Sequence, residues 1–338
     1  MTTATRPAPS VTQVSRTTTP HPAPPFDGEL KIVLDVVSAS ISPTLTRGDI
    51  PALRAGSFTP SLDQLLAGRP ITHEERSIPG PEGAPDLVVS IFRRTDQVRG
   101  GPAFCYTHVG GMIFGDRFVG VAPLIPYVEL LDAVVVTVEY RLAPEHPAPA
   151  ALDDAYAALR WTAAHAGDLG FDPTRLVTVG GSAGGGLAAG VTLMARDKGG
   201  PALAGQVLMY PMLDERNNTV SSHQIDGIGV WDHTSNDMGW TALLGDRRGS
   251  GGVSIYESPS QTTDLTNLPP TYLEVGSAEV FRDETVAYAS AIWAAGGVAE
   301  LHVWPGGYHL FELFAPHAAL STAARDTRTA WVRRTLGA

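Results

Sequence analysis

From about Thr72 onward, short β-branched apolar runs alternate with longer segments whose apolar residues recur at helical spacing. A first strand is expected at about Thr72. Residues 86–93 (DLVVSIFR) and 102–107 (PAFCYT) read as consecutive strands separated by a Gly-Gly turn, which makes an antiparallel hairpin. Residues 134–140 (VVVTVEY), 176–179 (LVTV), 206–210, 271–275 and 301–304 bring the strands to eight. Helical spacing covers 151–164, 183–197, 283–295 and 317–335. Strands alternating with helices predict an α/β fold, its mostly parallel sheet covered on both faces and mixed by the early hairpin.

Two segments stand outside this alternation. Residues 26–68 are helical in pattern, with Leu30, Ile32, Val33, Val36 and Val37 available for one face of a first helix and a second candidate in 50–68. Residues 214–264 carry no clear strand, and a stretch of that length is usually an insertion over a site. The chain therefore divides into a leader (1–25), N-terminal cap helices (26–70), a core (71–213 and 265–338) and a second cap segment (214–264). The leader is mostly Thr, Ser, Pro and Ala without an apolar h-region, so it is expected to be disordered rather than a secretory signal.

Composition narrows the class. A chain of 338 residues can bury a large core, and 43% hydrophobic residues describe a globular protein. The formal charge of −11 argues against nucleic acid or an anionic membrane as partner. One cysteine, Cys105, excludes an intrachain disulfide and fits a reducing compartment, so a cytoplasmic location is expected. No stretch approaches the roughly 20 apolar residues that span a bilayer.

The chemistry centres on residues 176–187, LVTVGGSAGGGL. A β-branched run leads into Gly180-Gly181-Ser182-Ala183-Gly184, and a helical pattern follows. A bare G-x-S-x-G is a weak signal, but strand–serine–helix is the context of a nucleophile elbow. A serine hydroxyl is a weak nucleophile near neutral pH and needs a base. Among ten histidines, His309 is the best placed, because it follows the last strand. Glu279 also follows a strand and would orient that base; Asp283, one helical turn beyond, competes for the acid role, with Glu279 favoured. All three sit on loops at strand C-terminal ends, where ligands bind in open α/β sheets. Gly110 and Gly111, after the strand ending at Thr107, could turn their N–H groups towards a developing oxyanion, with Ala183 as a third donor. His108 beside them is read as structural. Phe58, Met112, Trp231, Met238 and Trp240 are the candidates for an apolar substrate pocket, against the alternative that they only pack their segments. His73-Glu74 lacks the second histidine of a zincin helix, and no phosphate loop is present, so neither a metal nor a cofactor is expected.

These motifs resemble the hormone-sensitive-lipase family of α/β-hydrolases, in its bacterial esterase branch. The most specific pieces are Tyr140-Arg141-Leu142-Ala143-Pro144-Glu145-His146-Pro147, which matches the family's YRLAPEHP stretch, and residues 150–156 after it. Leu268-Pro269-Pro270 and Phe281-Arg282-Asp283-Glu284 are also similar. The resemblance covers roughly residues 70–335. Three positions depart from it. Val109 replaces the second residue of H-G-G-G, Gly181 replaces the aspartate of G-D-S-A-G, and Glu279 stands where the acid is usually aspartate. Asp283 aligns with the second acidic position of that run, which supports Glu279.

The expectation is a serine carboxylic ester hydrolase that forms an acyl-enzyme on short- to medium-chain esters under a helical cap. Its partner is a small-molecule ester, and a homodimer is compatible with the resemblance. A lactonase or amidase on the same triad is the enzymatic alternative. A non-catalytic ligand-binding protein on the same fold is the other, and it is disfavoured by the presence of both Ser182 and His309.

Overall fold

Val134–Val138 (β4, VVVTV) is buried at every position, as is β3, Gly101–Thr107. Strands covered on both faces read as continuous apolar runs, and these two lie inside the sheet. The computed structural model describes residues 22–56 and 59–337; most of the expected leader, residues 1–21, lies outside them. The other strands are β1 (Ile71–Ile78), β2 (Leu87–Arg94), β5 (Phe171–Gly181), β6 (Gly205–Met209), β7 (Thr271–Gly276) and β8 (Ala299–Trp304). All eight form one sheet in the order β1-β2-β4-β3-β5-β6-β7-β8. β1 and β2 pair antiparallel, as do β2 and β4; every other pair is parallel.

The hairpin is displaced from its expected place. β2 pairs with β1 on one side and β4 on the other, so β2 and β3 are not neighbours. The Gly-Gly pair has a different cause. A Cβ on Gly101 would lie 2.1 Å from the Asp132 carbonyl oxygen, and Gly100 has φ +86°. The glycines admit the segment that feeds β4 in beside β3.

Among the described residues, twelve helices accompany the sheet: α1 (Gly28–Ser38), α2 (Ile50–Ala55), α3 (Leu62–Leu66), α4 (Ile125–Leu130), α5 (Ala150–Ala164), α6 (Ala166–Leu169), α7 (Ala183–Asp197), α8 (Val220–Gln224), α9 (His233–Leu244), α10 (Arg282–Ala294), α11 (Phe311–Phe314) and α12 (Ala319–Leu336). Asp27 caps α1, accepting from the N–H groups of Glu29 and Leu30. The buried stripe of α1 is Leu30 and Leu34, with Val33 and Val37 half-buried. Ile32 and Val36, expected on that face, point outward at 69% exposure each. The i, i+3, i+4, i+7 row wins because 32 and 36 lie across the helix from it. Leu30 and Leu34 pack with Tyr308 and Phe311, which ties α1 to the loop after β8.

The 214–264 segment carries α8 and α9 and no strand. It is stapled to the N-terminal segment. Leu45 N–H donates to Ser235 Oγ at 2.8 Å, Ser235 Oγ donates to Pro43 O at 2.8 Å, and Thr44 Oγ1 bonds the carboxylate of Asp232. Arg54 of α2 donates to the carbonyls of Ile113 and Ala143, both at 2.8 Å.

Behind β7 lies a buried charge cluster. Arg328 of α12 bonds Glu274 of β7 and makes a bidentate contact with Glu312 of α11, at 2.8 and 2.7 Å. Burial pushes the Glu274 carboxyl up to about 7, with the Arg328 charge opposing and the Glu312 charge reinforcing the shift. A carboxyl raised in the folded state holds its proton where the unfolded chain has lost it, so its contribution to stability falls as pH rises from about 4.5 to about 7. The stability of the wild type relative to Glu274→Gln, read by thermal unfolding across that window, should therefore fall as pH rises. A stability difference independent of pH would refute this.

Candidate active site

β5 ends at Gly181 and α7 begins at Ala183, so Ser182 alone makes the turn. Its backbone is at φ 55° and ψ −124°, a conformation that costs of order 1–3 kcal/mol for a residue with a side chain. The neighbours hold it there. Ser182 N–H donates to Met209 O at 3.0 Å, and its carbonyl accepts from the N–H groups of Gly186 and Met212 at 3.1 and 2.9 Å. A Cβ on Gly180 would stand 2.0 Å from Gly184 O, and one on Gly184 would stand 2.1 Å from Thr107 O. Glycine at both positions is a requirement of strand–helix approach.

His309 lies on the loop between β8 and α11. Its Nε2 is 2.9 Å from Ser182 Oγ and its Nδ1 is 2.7 Å from Glu279 Oε2. A carboxylate can only accept, so Nδ1 carries the proton and Nε2 of the neutral ring accepts from the serine hydroxyl. Glu279 Oε1 accepts from Gly276 N–H at 2.9 Å. All three side chains are buried. The two loops that carry Glu279 and His309 are joined: Ala278 N–H donates to Gly307 O at 3.0 Å, and Gly306 N–H donates to Ser277 Oγ at 2.8 Å. The His309 ring meets Tyr210 and Phe281 edge-on, at centroid distances of 5.2 and 5.0 Å.

Asp283 is engaged elsewhere. It accepts from Ser221 N–H and from Arg282 Nε, both at 2.7 Å, which anchors α8 to the start of α10.

The loop after β3 runs beside the serine. Gly110 and Gly111 have φ of +128° and +61°. A Cβ on Gly110 would lie 2.0 Å from Phe114 O, and one on Gly111 would lie 2.6 Å from the Trp231 ring. Among the described residues, none accepts a hydrogen bond from the N–H groups of Gly110, Gly111 or Ala183. His108 is buried and stacked on Tyr140 at 3.9 Å, with Nδ1–H donating to Val109 O at 2.8 Å. Burial lowers its affinity for a second proton.

Two of the sequence's unusual positions turn out to be neighbours. A Cβ at Gly181 would meet Val109 Cγ1 at 3.0 Å and Tyr210 Cε2 at 3.1 Å. The valine side chain fills space beside the elbow, and that leaves little room for an aspartate there.

The serine and histidine open into a cavity of about 430 Å³. Its walls come from the N-terminal segment (Ile41, Leu45, Leu53), the loop after β3 (Val109, Phe114), Trp231, and Leu310, Leu313 and Phe314 after the histidine. Of the pocket candidates, Trp231 lines it. Met112 does not; it lies near Gly186 of α7 on the far side of its loop. Trp240 is wholly buried in the core and Met238 packs against that core. Phe58 lies outside the described residues. The apolar 310, 313, 314 spacing directly after His309 was the available signal for the wall that sequence reasoning missed.

A family profile described as the alpha/beta hydrolase fold matches residues 104–313. The chain is 34% identical over 254 residues to the carboxylesterase NlhH of Mycobacterium tuberculosis, an alignment covering 74% of this chain and 79% of that protein. It superposes on a bacterial heroin esterase with a TM-score of 0.83 at 35% identity, covering 92% of this chain and 98% of the other. A hyperthermophilic esterase from the archaeon Pyrobaculum calidifontis gives a TM-score of 0.79 at 29% identity, over 93% of this chain and all of that one.

Proposed function

The chain belongs to the hormone-sensitive-lipase-like esterases of the α/β-hydrolase superfamily and is a carboxylic ester hydrolase; from that premise we propose that Ser182, His309 and Glu279 carry the reaction through an acyl-enzyme. The observation that supports this reading is the buried line of hydrogen bonds from Glu279 to His309 to Ser182, ending at a cavity beside three N–H groups that find no acceptor among the described residues.

Ser182 Oγ attacks the ester carbonyl as His309 Nε2 takes its proton. The carbonyl oxygen becomes an oxyanion and is held by the N–H groups of Gly110, Gly111 and Ala183, at the start of α7. Collapse breaks the bond to the alkoxide, which leaves with the proton from His309. Water then enters, gives its proton to His309, and releases the acid by the reverse sequence. Glu279 fixes the tautomer and stabilises the imidazolium formed in each half.

Residues 26–70 and 214–264 act as a cap, since both contribute to the cavity wall and are hydrogen-bonded to each other. Apart from His309, no described lining residue is ionisable, which suits uncharged acyl groups of short to medium length. No helix among the described residues is long and apolar enough to cross a membrane. Cys105 is buried on β3, and on that single reduced cysteine we assign the enzyme to the cytoplasm.

Titration with diethyl p-nitrophenyl phosphate tests the nucleophile. One equivalent of nitrophenolate should be released per chain, and the diethylphosphoryl mass should map to the peptide bearing Ser182. Stoichiometric labelling of any other residue, or none, would sink the assignment.

A further inference from the structure

The proposed chemistry makes no use of the charge cluster beneath the catalytic loop. Arg328 is 1% exposed, as buried as the core around it. It reaches Glu274 with Nη1 and grips Glu312 with both Nη atoms. Glu274 is held in turn by the Tyr272 hydroxyl at 3.0 Å and the Trp304 indole N–H at 3.2 Å. A bidentate guanidinium–carboxylate pair fixes direction as well as distance, because the donor fork is planar and rigid.

The position of Glu312 gives the cluster its reach. It is the third residue after His309, on α11, between Phe311 and the cavity-lining Leu313 and Phe314. The Tyr210 hydroxyl donates to Glu312 Oε1 at 3.4 Å, and the Tyr210 ring stands edge-on against His309. Two short routes therefore join the C-terminal helix to the base, one along the backbone of α11 and one through Tyr210. Leu310, between His309 and α11, sits at φ +63°, a conformation unfavourable for leucine that the surroundings must enforce.

We infer that Arg328 is a positioning residue for His309, which it acts on through Glu312. This rests on the reading of Ser182 and His309 as nucleophile and base. A clamp that acts on the reacting geometry shows itself by lowering kcat and kcat/KM together when it is lost.

Glu312→Gln keeps the size of the side chain and one acceptor oxygen while breaking the charged bidentate pair. In steady-state assays on p-nitrophenyl butyrate well below the unfolding temperature, it should lower kcat and kcat/KM together about tenfold, with KM within about twofold. Arg328→Met, which also loses the contact to Glu274, should lose at least as much, and the double variant no more than Arg328→Met, since both substitutions break the same Arg328–Glu312 pair. The downfield proton resonance of the His309–Glu279 hydrogen bond should shift or broaden in each. If Arg328→Met fails to fold, Glu312→Gln decides alone. A folded Glu312→Gln protein with wild-type kcat, or with only KM raised, overturns the inference and leaves the cluster a purely structural one. Ser182→Ala is assayed alongside: survival of activity there would instead overturn the underlying site assignment, and this inference with it.

Discussion

Ser182→Ala should abolish ester hydrolysis and leave the fold intact. The substitution removes one atom, Oγ, whose hydrogen bond is to His309 Nε2. Alanine and serine meet the same backbone strain at φ 55°, and the backbone bonds to Met209, Gly186 and Met212 do not involve the side chain. Stability should therefore stay within about 1 kcal/mol of wild type. The expected loss in kcat is of the order of 10⁶, the scale seen when the serine of another hydrolase is removed, because every later step needs the acyl-enzyme. The proposed oxyanion donors remain, so a residual rate above that of water is expected. Hydrolysis of p-nitrophenyl esters beside a thermal melt decides the matter. Unchanged turnover in a folded variant would refute the mechanism, whatever the fold.

The elbow was legible because its constraints are local. Gly180 and Gly184 exist to avoid backbone atoms a few residues away or on the adjacent strand, and such clashes leave glycine in a fixed pattern around the serine. The order Ser182, Glu279, His309 was legible for a related reason: each follows a strand, and strand ends in a parallel sheet face one side. The Gly100-Gly101 pair misled for the opposite reason. It looks like a hairpin turn, yet its cause is the carbonyl of Asp132, which no local pattern announces. Of the four pocket candidates among the described residues, one, Trp231, was legible. Trp231 faces the cavity, while Met238 and Trp240, only a turn or two further on, face the core. Their helix α9 buries residues around most of its circumference, so apolar character did not mark one face. The Arg328 cluster was not legible at all. Its members lie 54 and 16 residues apart, on a strand and two helices, and only the tertiary fold pairs them.

Glu279→Gln should cost about 10⁴ in kcat, the loss that follows when the orienting acid of another triad becomes its amide. The geometry here says why. Gly276 N–H points at one oxygen of Glu279, and the other faces His309 Nδ1. In the glutamine, the amide oxygen must stay with the Gly276 donor, or two N–H groups would oppose each other in a buried site. The amide NH₂ then faces Nδ1 and selects the tautomer protonated at Nε2. That ring presents a proton to Ser182 Oγ where a lone pair is needed, so the base is lost although no atom has moved far. Asp283→Asn makes the contrasting case. Asp283 accepts from Ser221 N–H and Arg282 Nε, neither of which touches His309. Its amide can still accept one of these bonds, so the expected change is about 1 kcal/mol in stability and less than about tenfold in kcat. Both variants are measured for kcat and unfolding under one set of conditions. Should Asp283→Asn prove the more damaging to kcat, Glu279 is not the acid of this triad, and the hydrogen bond at 2.7 Å is a resting contact without a catalytic role.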